Sequence, residues 1–378
     1  MQKIKTATFT FHASHNYGSM LQAYALQYVL RNEVRIENEI INFRSLSQKL
    51  LYSDPGLKKY NLKQKVKQLL FGNYHKFLVE KYNLFEQFMK EKMILSQEFN
   101  DEVAAAKYSR EFDFLITGSD QIWNTVCSDF NWIYFLPFAK GNAIAYAPSM
   151  GPCGIKEVKK EYYLKIKECL QQYKAVSVRE KGSVEVLNKI LATDVETLVD
   201  PTLLVDSKEW DDLAGNKPII NGDYIFMYKP FLDNPICEMA KKISRSLGIP
   251  VVVSNILPSR MELYNKLPLT TKIKSKLDCG PIEFLNLIKY SKLVISGSYH
   301  AVAFSIIFNK PFLAVNGKTD NRMSHLLKAT NLLDYGVGLD DFSSVLNKLP
   351  LICFDDAKAY VDSERNRSIA FLKKSMNL

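Results

Sequence analysis

Short apolar runs rich in β-branched residues, each ending in a polar loop and leading into a helical stretch, recur in two series along the chain. This alternation restricts the fold to the α/β class. In the first series, "KIKTATFTF" (3–11) reads as a strand and "HASHNYGS" (12–19) as a polar loop. "MLQAYALQYVLRN" (20–32) places Leu21, Tyr24, Ala25 and Tyr28 on one helical stripe. Strand patterns follow at "IENEIINF" (36–43), "EFDFLITGSD" (111–120), "GNAIAYAPSM" (141–150) and "YKAVSVRE" (173–180), with a helix from Lys181 to about Ala192. "TLVDPTLLV" (197–205) ends in a turn and a domain boundary. Residues 45–110 up to the "EFDFLITGSD" strand break the rhythm. They are rich in Lys, Tyr, Phe and Leu, poor in Gly and Pro, and predict an inserted helical region.

The second series begins with the strand "YIFMYK" (224–229). The helix "PICEMAKKISRSLG" (235–248), closed by Gly248, and the strand "PVVVSN" (250–255) come next. "GPIEFLNLIKYS" (280–291) opens a helix with proline in its first turn, where a missing N–H costs little. "KLVISGS" (292–298) is a strand and turn, "YHAVAFSIIFN" (299–309) a helix and "KPFLAV" (310–315) a strand. The tail 355–378 is one amphipathic helix. The expected organisation is two Rossmann-like domains with parallel sheets facing across a cleft. Residues 1–205 form the first, carrying the helical region at about 45–110, and residues 206–354 the second, with the helix 355–378 at the end.

Several function classes lose support. No stretch of about 20 uncharged apolar residues exists, so no membrane-spanning helix is expected. The N-terminus has no apolar signal-peptide core, and a cytoplasmic protein is expected. Six cysteines lie scattered with no C-x-x-C pair, which suggests reduced structural thiols. "YGVGLD" (335–340) lacks the third glycine of a dinucleotide fingerprint. "NGKTD" (316–320) lacks the earlier glycine of a P-loop, because Phe312 stands there. The net charge of +10 favours acidic partners: nucleic acid, anionic lipid or phosphorylated metabolites. The densest basic tract, "LKKYNLKQKVKQ" (57–68), reads as a solvated helix face, and no zinc-finger or RRM pattern supports nucleic-acid binding. Attraction to a membrane surface stays open.

The remaining chemistry sits in loops at strand ends. His300 falls in the first turn of an apolar helix, where free N–H groups and the dipole suit an anion. It can donate to a phosphate or act as an acid, or be a packed core histidine. Arg179 ends another strand and offers a bidentate fork, or pairs with a nearby acid. Arg322 follows the strand 310–315, with Lys318 its close alternative. "NYGS" (16–19), with Asn16 and Gly18, could cradle a sugar or phosphate through backbone N–H groups, or simply cap a helix. "GSDQIWN" (118–124) follows the strand with Ser119, the carboxylate of Asp120, the amides of Gln121 and Asn124, and the plate of Trp123. Sugars present hydroxyl edges and apolar C–H faces, and this mixture answers both. Asp120 could serve as a general base; a buried structural network is the competing account.

Taken together, "NYGSMLQAYAL" (16–26), "ITGSDQIWN" (116–124), "VSVRE" (176–180), "VDPTLL" (199–204) and "SYHAVAFSIIFNKPF" (298–312) resemble the polysaccharide pyruvyl transferase family. The resemblance implies a GT-B-like architecture whose C-terminal helix packs back on the N-terminal domain. It also implies transfer of a pyruvyl group from phosphoenolpyruvate, a co-substrate, to two hydroxyls of a surface-polysaccharide precursor, forming a cyclic ketal. The acceptor would be a lipid-diphosphate-linked or nucleotide-linked sugar, with peripheral contact to an anionic membrane. By this resemblance Arg179, His300, Ser298, Lys318 and Arg322 face the donor, with His300 also an acid. Asn16, Gly18, Ser119, Asp120, Gln121, Trp123 and Asn124 face the acceptor, and neither cofactor nor metal is required. Many members carry Asp-Ser-Phe-His-Gly where this chain has Gly297-Ser298-Tyr299-His300-Ala301. A nucleotide-sugar glycosyltransferase of GT-B type and a non-catalytic glycan-binding relative are the alternatives.

Overall fold

Each β-branched run becomes a short parallel strand. The computed structural model describes residues 4–57, 74–153, 158–191, 195–267, 271–340, 343–347 and 349–378. The first sheet contains β1 (Lys5–Phe9), β2 (Glu37–Ile40), β3 (Phe114–Thr117), β4 (Ala143–Ala145), β5 (Tyr173–Val178) and β6 (Glu196–Thr197). Their order across the sheet is β2-β1-β3-β4-β5-β6, and every pairing is parallel. The second sheet contains β7 (Ile225–Tyr228), β8 (Val251–Val253), β9 (Ile273–Ser275), β10 (Leu293–Ser296), β11 (Phe312–Val315) and β12 (Gly336–Val337). Its order is β12-β11-β10-β7-β8-β9, again all parallel. Strands β7, β8, β10 and β11 are buried along their whole length, as helices on both faces of a parallel sheet require. Strand order reverses between β1 and β3 and again between β7 and β10, and ligands of such sheets sit at those reversals, beyond the carboxyl ends.

The helices start and stop where local chemistry directs. The helix Asn234–Leu247 is capped by the Asp233 carboxylate and ends at Gly248, whose φ of 70° puts it in the left-handed region that glycine enters without strain. The helix Pro281–Lys289 begins with proline, and Glu283 accepts a bond from the Gly280 N–H at 2.9 Å. The inserted region carries the helices Leu46–Leu51, His75–Lys92 and Glu102–Tyr108. It joins the first sheet where Ile40 and Phe43 bridge to Leu95 and Phe99, and reaches the second half where Lys81 donates to the Ser254 carbonyl at 3.2 Å. Most of the lysine-rich tract 57–68 lies outside the described residues. The final helix, Asp355–Ser375, returns to the first half of the chain: Arg365 pairs with Glu33 at 2.8 Å, and Arg367 donates to the Thr197 carbonyl. Among the described residues no helix is long and apolar enough to cross a membrane.

The two lobes pack across a cleft through the first helix, Tyr17–Asn32, and share one apolar core there. Tyr17 stacks flat on Phe284 at 4.4 Å, and its hydroxyl donates to the Cys279 carbonyl at 2.9 Å. Trp210 meets Phe304 edge-on at 5.0 Å. Tyr17→Ala removes a fully buried ring and should cost about 3–5 kcal/mol, whereas Tyr17→Phe loses one hydrogen bond, about 1 kcal/mol. Urea unfolding midpoints of the two variants against the parent chain check the difference.

Candidate functional site

The strand-end loops of both lobes meet at the N-terminus of the first helix. Asn16 caps that helix, its Oδ1 accepting from the N–H groups of Gly18 at 3.0 Å and Ser19 at 3.5 Å. His300, from the second lobe, presses on the same turn. A Cβ added at Gly18 would fall 2.1 Å from His300 Nδ1, so only glycine leaves room for the imidazole. One residue on, the Ser19 hydroxyl donates to Asp120 Oδ2 at 2.5 Å, joining the helix to the loop after β3.

Asp200 ties the two lobes together. After β6, its Oδ1 accepts from the Thr202 N–H and hydroxyl at 3.0 and 2.8 Å. That leaves Oδ2 for Arg179 and His300. Arg179 Nη1 donates to it at 2.7 Å, and His300 Nε2 lies 3.3 Å away. All three are buried, with relative exposures of 0% for Asp200, 2% for Arg179 and 7% for His300. Arg179 Nη2 stands 3.7 Å from Asp120 Oδ1, Arg179 Nε stands 3.7 Å from Glu180 Oε2, and the guanidinium lies 4.6 Å from the centre of the Tyr299 ring. Arg179 Nε and Nη2 and Glu180 Oε2 have no hydrogen-bond partner. Such atoms are rare and mark a place where a water or ligand oxygen belongs.

The electrostatics follow from this crowding. Burial works against the Asp200 charge, but His300 and Arg179 hold its carboxyl well below the usual carboxylate range. Burial opposes the Arg179 charge too, yet Asp200, Asp120 and Glu180 together outweigh it and raise its pKa. Burial pushes the Glu180 carboxyl up, and Arg179 and Ser183 offset this only in part. Glu180 Oε1 is the busy oxygen, accepting from the hydroxyls of Ser149 and Ser183 and from the Met150 N–H. Arg179 is thus shared among three carboxylates.

The other sequence candidates divide between cleft and core. Ser119 is buried, donating to the Ala147 carbonyl at 2.6 Å. Trp123 has no exposed surface; it stacks on Phe135 at 4.9 Å and its indole N–H donates to the Tyr134 carbonyl, so it packs the first lobe and does not face the cleft. Gln121 accepts from Asn124 at 3.2 Å, and Asn124 accepts from the Val126 N–H, so both amides brace their own loop. Ser298 precedes the helix Tyr299–Ile307 without capping it through its side chain. Lys318 is exposed and lies beside Gly336. Arg322 forms a two-point pair with Asp320, at 3.1 and 2.5 Å. Asp200, Glu180, Ser19 and Tyr299 also belong to the cluster; each lies inside a motif that stands out in the sequence, but none is given a role there. Lys229, at the end of β7, also joins the second-lobe reversal: it packs 3.5 Å from where a Gly297 Cβ would lie and pairs with Asp233. Among the described residues no group of three or more His, Cys, Asp or Glu could hold a metal ion.

Two parallel α/β lobes with a returning C-terminal helix define a GT-B-like architecture. Solved structures share it over nearly the whole chain. A glycosyltransferase from Rickettsia africae superposes with a TM-score of 0.54 at 12% identity, covering 100% of this chain and 97% of its own. The UDP-GlcNAc 2-epimerase of Neisseria meningitidis, bound to UDP-GlcNAc, gives 0.53 at 10% identity, covering 99% of each chain. The UDP-N-acetylglucosamine 2-epimerase of Rickettsia bellii gives 0.53 at 10%, covering 100% and 98%. At such identities the likeness is one of fold. No curated protein matches the chain. The polysaccharide pyruvyl transferase family matches residues 16–319, and the chain belongs to it. It is a pyruvyltransferase acting on a polysaccharide, and phosphoenolpyruvate is the co-substrate expected of that family.

Replacing Asp200 by Asn strands the buried Arg179 guanidinium and removes a partner of His300, and should cost about 3–5 kcal/mol at neutral pH. Because the Asp200 pKa is depressed in the folded chain, its contribution is full above the unfolded carboxylate value of about 3.9 and fades as pH falls below it. Chemical denaturation from pH 7 downward should show Asp200→Asn and parent stabilities converging below about pH 4.

Proposed function

We propose that phosphoenolpyruvate binds between the lobes and that His300 and Arg179, brought together on Asp200 from opposite sides of the cleft, act on it. That convergence is the observation carrying the assignment. The Arg179–Asp200 pair fixes the imidazole, and the unpartnered Nε and Nη2 of Arg179 are offered to the donor carboxylate. The phosphate belongs to the second lobe, where Ser298 and Lys229 flank the free N–H groups of the helix Tyr299–Ile307. Lys318 and Arg322 supply outer cationic field. His300 delivers a proton to C3, positive charge develops at C2, and a sugar hydroxyl attacks there. The C2–O bond to phosphate breaks, and a second hydroxyl closes the ketal, its proton passing to the departing phosphate. Asp120, held by Ser19, takes the attacking hydroxyl's proton. Asn16, Gly18, Ser119, Gln121, Trp123 and Asn124 shape the acceptor side, Gly18 by seating His300 and Trp123 by anchoring the loop from behind. Arg179 and His300 are buried, so donor entry requires the lobes to part.

The acceptor we assign is a lipid-diphosphate-linked sugar at the cytoplasmic face of an anionic membrane. Leu46, Leu50 and Leu57 of the inserted region are 71%, 68% and 82% exposed, and the chain carries a net charge of +10, a combination that supports peripheral docking.

Phosphate release from phosphoenolpyruvate in the presence of a glycoside acceptor is the direct test. His300→Ala should lower kcat/KM by about a hundred- to ten-thousand-fold, the usual worth of a general acid. Gly18→Ala should move in the same direction by displacing the ring. Release of a nucleoside diphosphate from a nucleotide sugar, with no turnover of phosphoenolpyruvate, would overturn the assignment.

A further inference from the structure

A second pocket opens beside the first-helix N-terminus, walled by the inserted region. It encloses about 330 Å³ and is bounded by His15, Arg44, Gln48, Tyr52, Leu57 and Tyr82. This volume is at the small end of ligand pockets, about 300–1,000 Å³, and suits one or two sugar rings better than a nucleotide sugar. Its floor is aromatic. The His15 ring lies against Phe85 at 5.1 Å and 17°, with Tyr82 at 4.7 Å and Tyr52 at 5.8 Å. Tyr52 and Tyr82 are half-buried and lie at its surface.

The charges around this floor are already matched. Arg44 pairs with Glu86 at 3.3 Å and with Glu98 at 3.7 Å. Lys49 pairs with Glu98 at 2.5 Å, and His15 Nε2 lies 2.9 Å from Glu86 Oε1. Asp54 adds a further acid to the wall, and Asp129 stands behind it, accepting from the Tyr52 and Ser14 hydroxyls at 2.7 Å each. Among the described residues each cation of the wall is thus committed to an acid and acids are in excess, which disfavours a phosphate or carboxylate here. Aromatic faces, an amide and fixed carboxylates answer a neutral polyol: its C–H face stacks on a ring and its hydroxyls donate to the acids.

Position adds the second constraint. His15 precedes Gly18 by three residues, and Gly18 touches His300. Three residues span at most about 10 Å of chain, so the His15 backbone, at the pocket, lies within that distance of Gly18, which the imidazole touches. We propose that this pocket is an acceptor subsite that takes an uncharged pyranose adjoining the one that receives the pyruvyl group. The inference rests on the pyruvyl-transfer assignment for its meaning, but the binding chemistry stands by itself.

Saturation-transfer NMR on the full chain tests it, with methyl β-D-galactopyranoside, methyl β-D-mannopyranoside and methyl β-D-glucopyranoside as probes and inorganic phosphate as competitor. Transfer to at least one glycoside is expected. It should fall at least five-fold in both Tyr82→Ala and Tyr82→Leu, the latter keeping the apolar bulk, and should survive in His300→Ala and in excess phosphate. Transfer to none of the three glycosides, undiminished transfer in both Tyr82 variants, or competition by phosphate overturns the proposal. Calorimetric titration with phosphoenolpyruvate separates the two claims. Glycoside binding lost on Tyr82 substitution, in a chain that does not bind phosphoenolpyruvate, sinks the donor assignment and leaves the subsite standing.

Discussion

One carboxylate oxygen, Oδ2 of Asp200, holds the interlobe arrangement. It meets Arg179 of its own lobe and His300 of the other, and all three are withdrawn from water. Burying these charges is expensive, and well-packed apolar side chains in their place would serve stability at least as well. The cluster therefore makes sense as a positioning device. Its geometry forces the end of β5, the turn after β6 and the helix after β10 into one register across the cleft. The first helix completes the arrangement, because Gly18 alone admits the imidazole and Ser19 secures Asp120.

The fold prepares this meeting without side-chain chemistry. Both sheets are all-parallel and both reverse their strand order, so each lobe has a crevice at its carboxyl ends. Facing crevices bring loops distant in sequence together. Asp200 and His300 are 100 positions apart, and Ser19 and Asp120 are 101 apart. Arg179 and Glu180 arrive from the end of β5 as neighbours in the chain, yet they play opposite parts: the guanidinium keeps two unpartnered N–H groups, while one Glu180 oxygen is saturated by Ser149, Ser183 and Met150.

Much of this was legible in the sequence because local rules govern it. β-branched runs, the Gly248 stop and the Pro281 start mark elements through backbone preference alone, and the structure puts helices and strands there. Pattern places both Arg179 and His300 at strand ends, and the family resemblance implies that they meet. What sequence could not convey was partnership. "VDPTLL" looks like a turn, and indeed one Asp200 oxygen does turn-making with Thr202; only folding reveals that the other meets Arg179 and His300. Trp123 reads as a plate for a sugar, but an indole is also the largest packing unit available. With the Tyr134 carbonyl to satisfy its N–H, packing against Phe135 is the better-bonded outcome. The aromatic pocket around His15 escaped sequence reading for a similar reason: Tyr52 and Tyr82 lie thirty residues apart in a tract with no motif.

Charge balance, finally, bears on how the donor we propose would lie. Arg179 faces Asp200, Asp120 and Glu180, so the first-lobe side of the cleft cannot also neutralise a phosphate. Lys318, which is exposed, and Lys229, which pairs with Asp233, follow β11 and β7, the strands flanking β10. The helix after β10 adds its unbonded N–H groups between them. Under the proposed assignment, a donor lying with phosphate toward that lobe and carboxylate toward Arg179 would have its reacting carbons between His300 and Asp120. On that proposal the acid and the base come from opposite lobes, so a closed cleft is needed to assemble both.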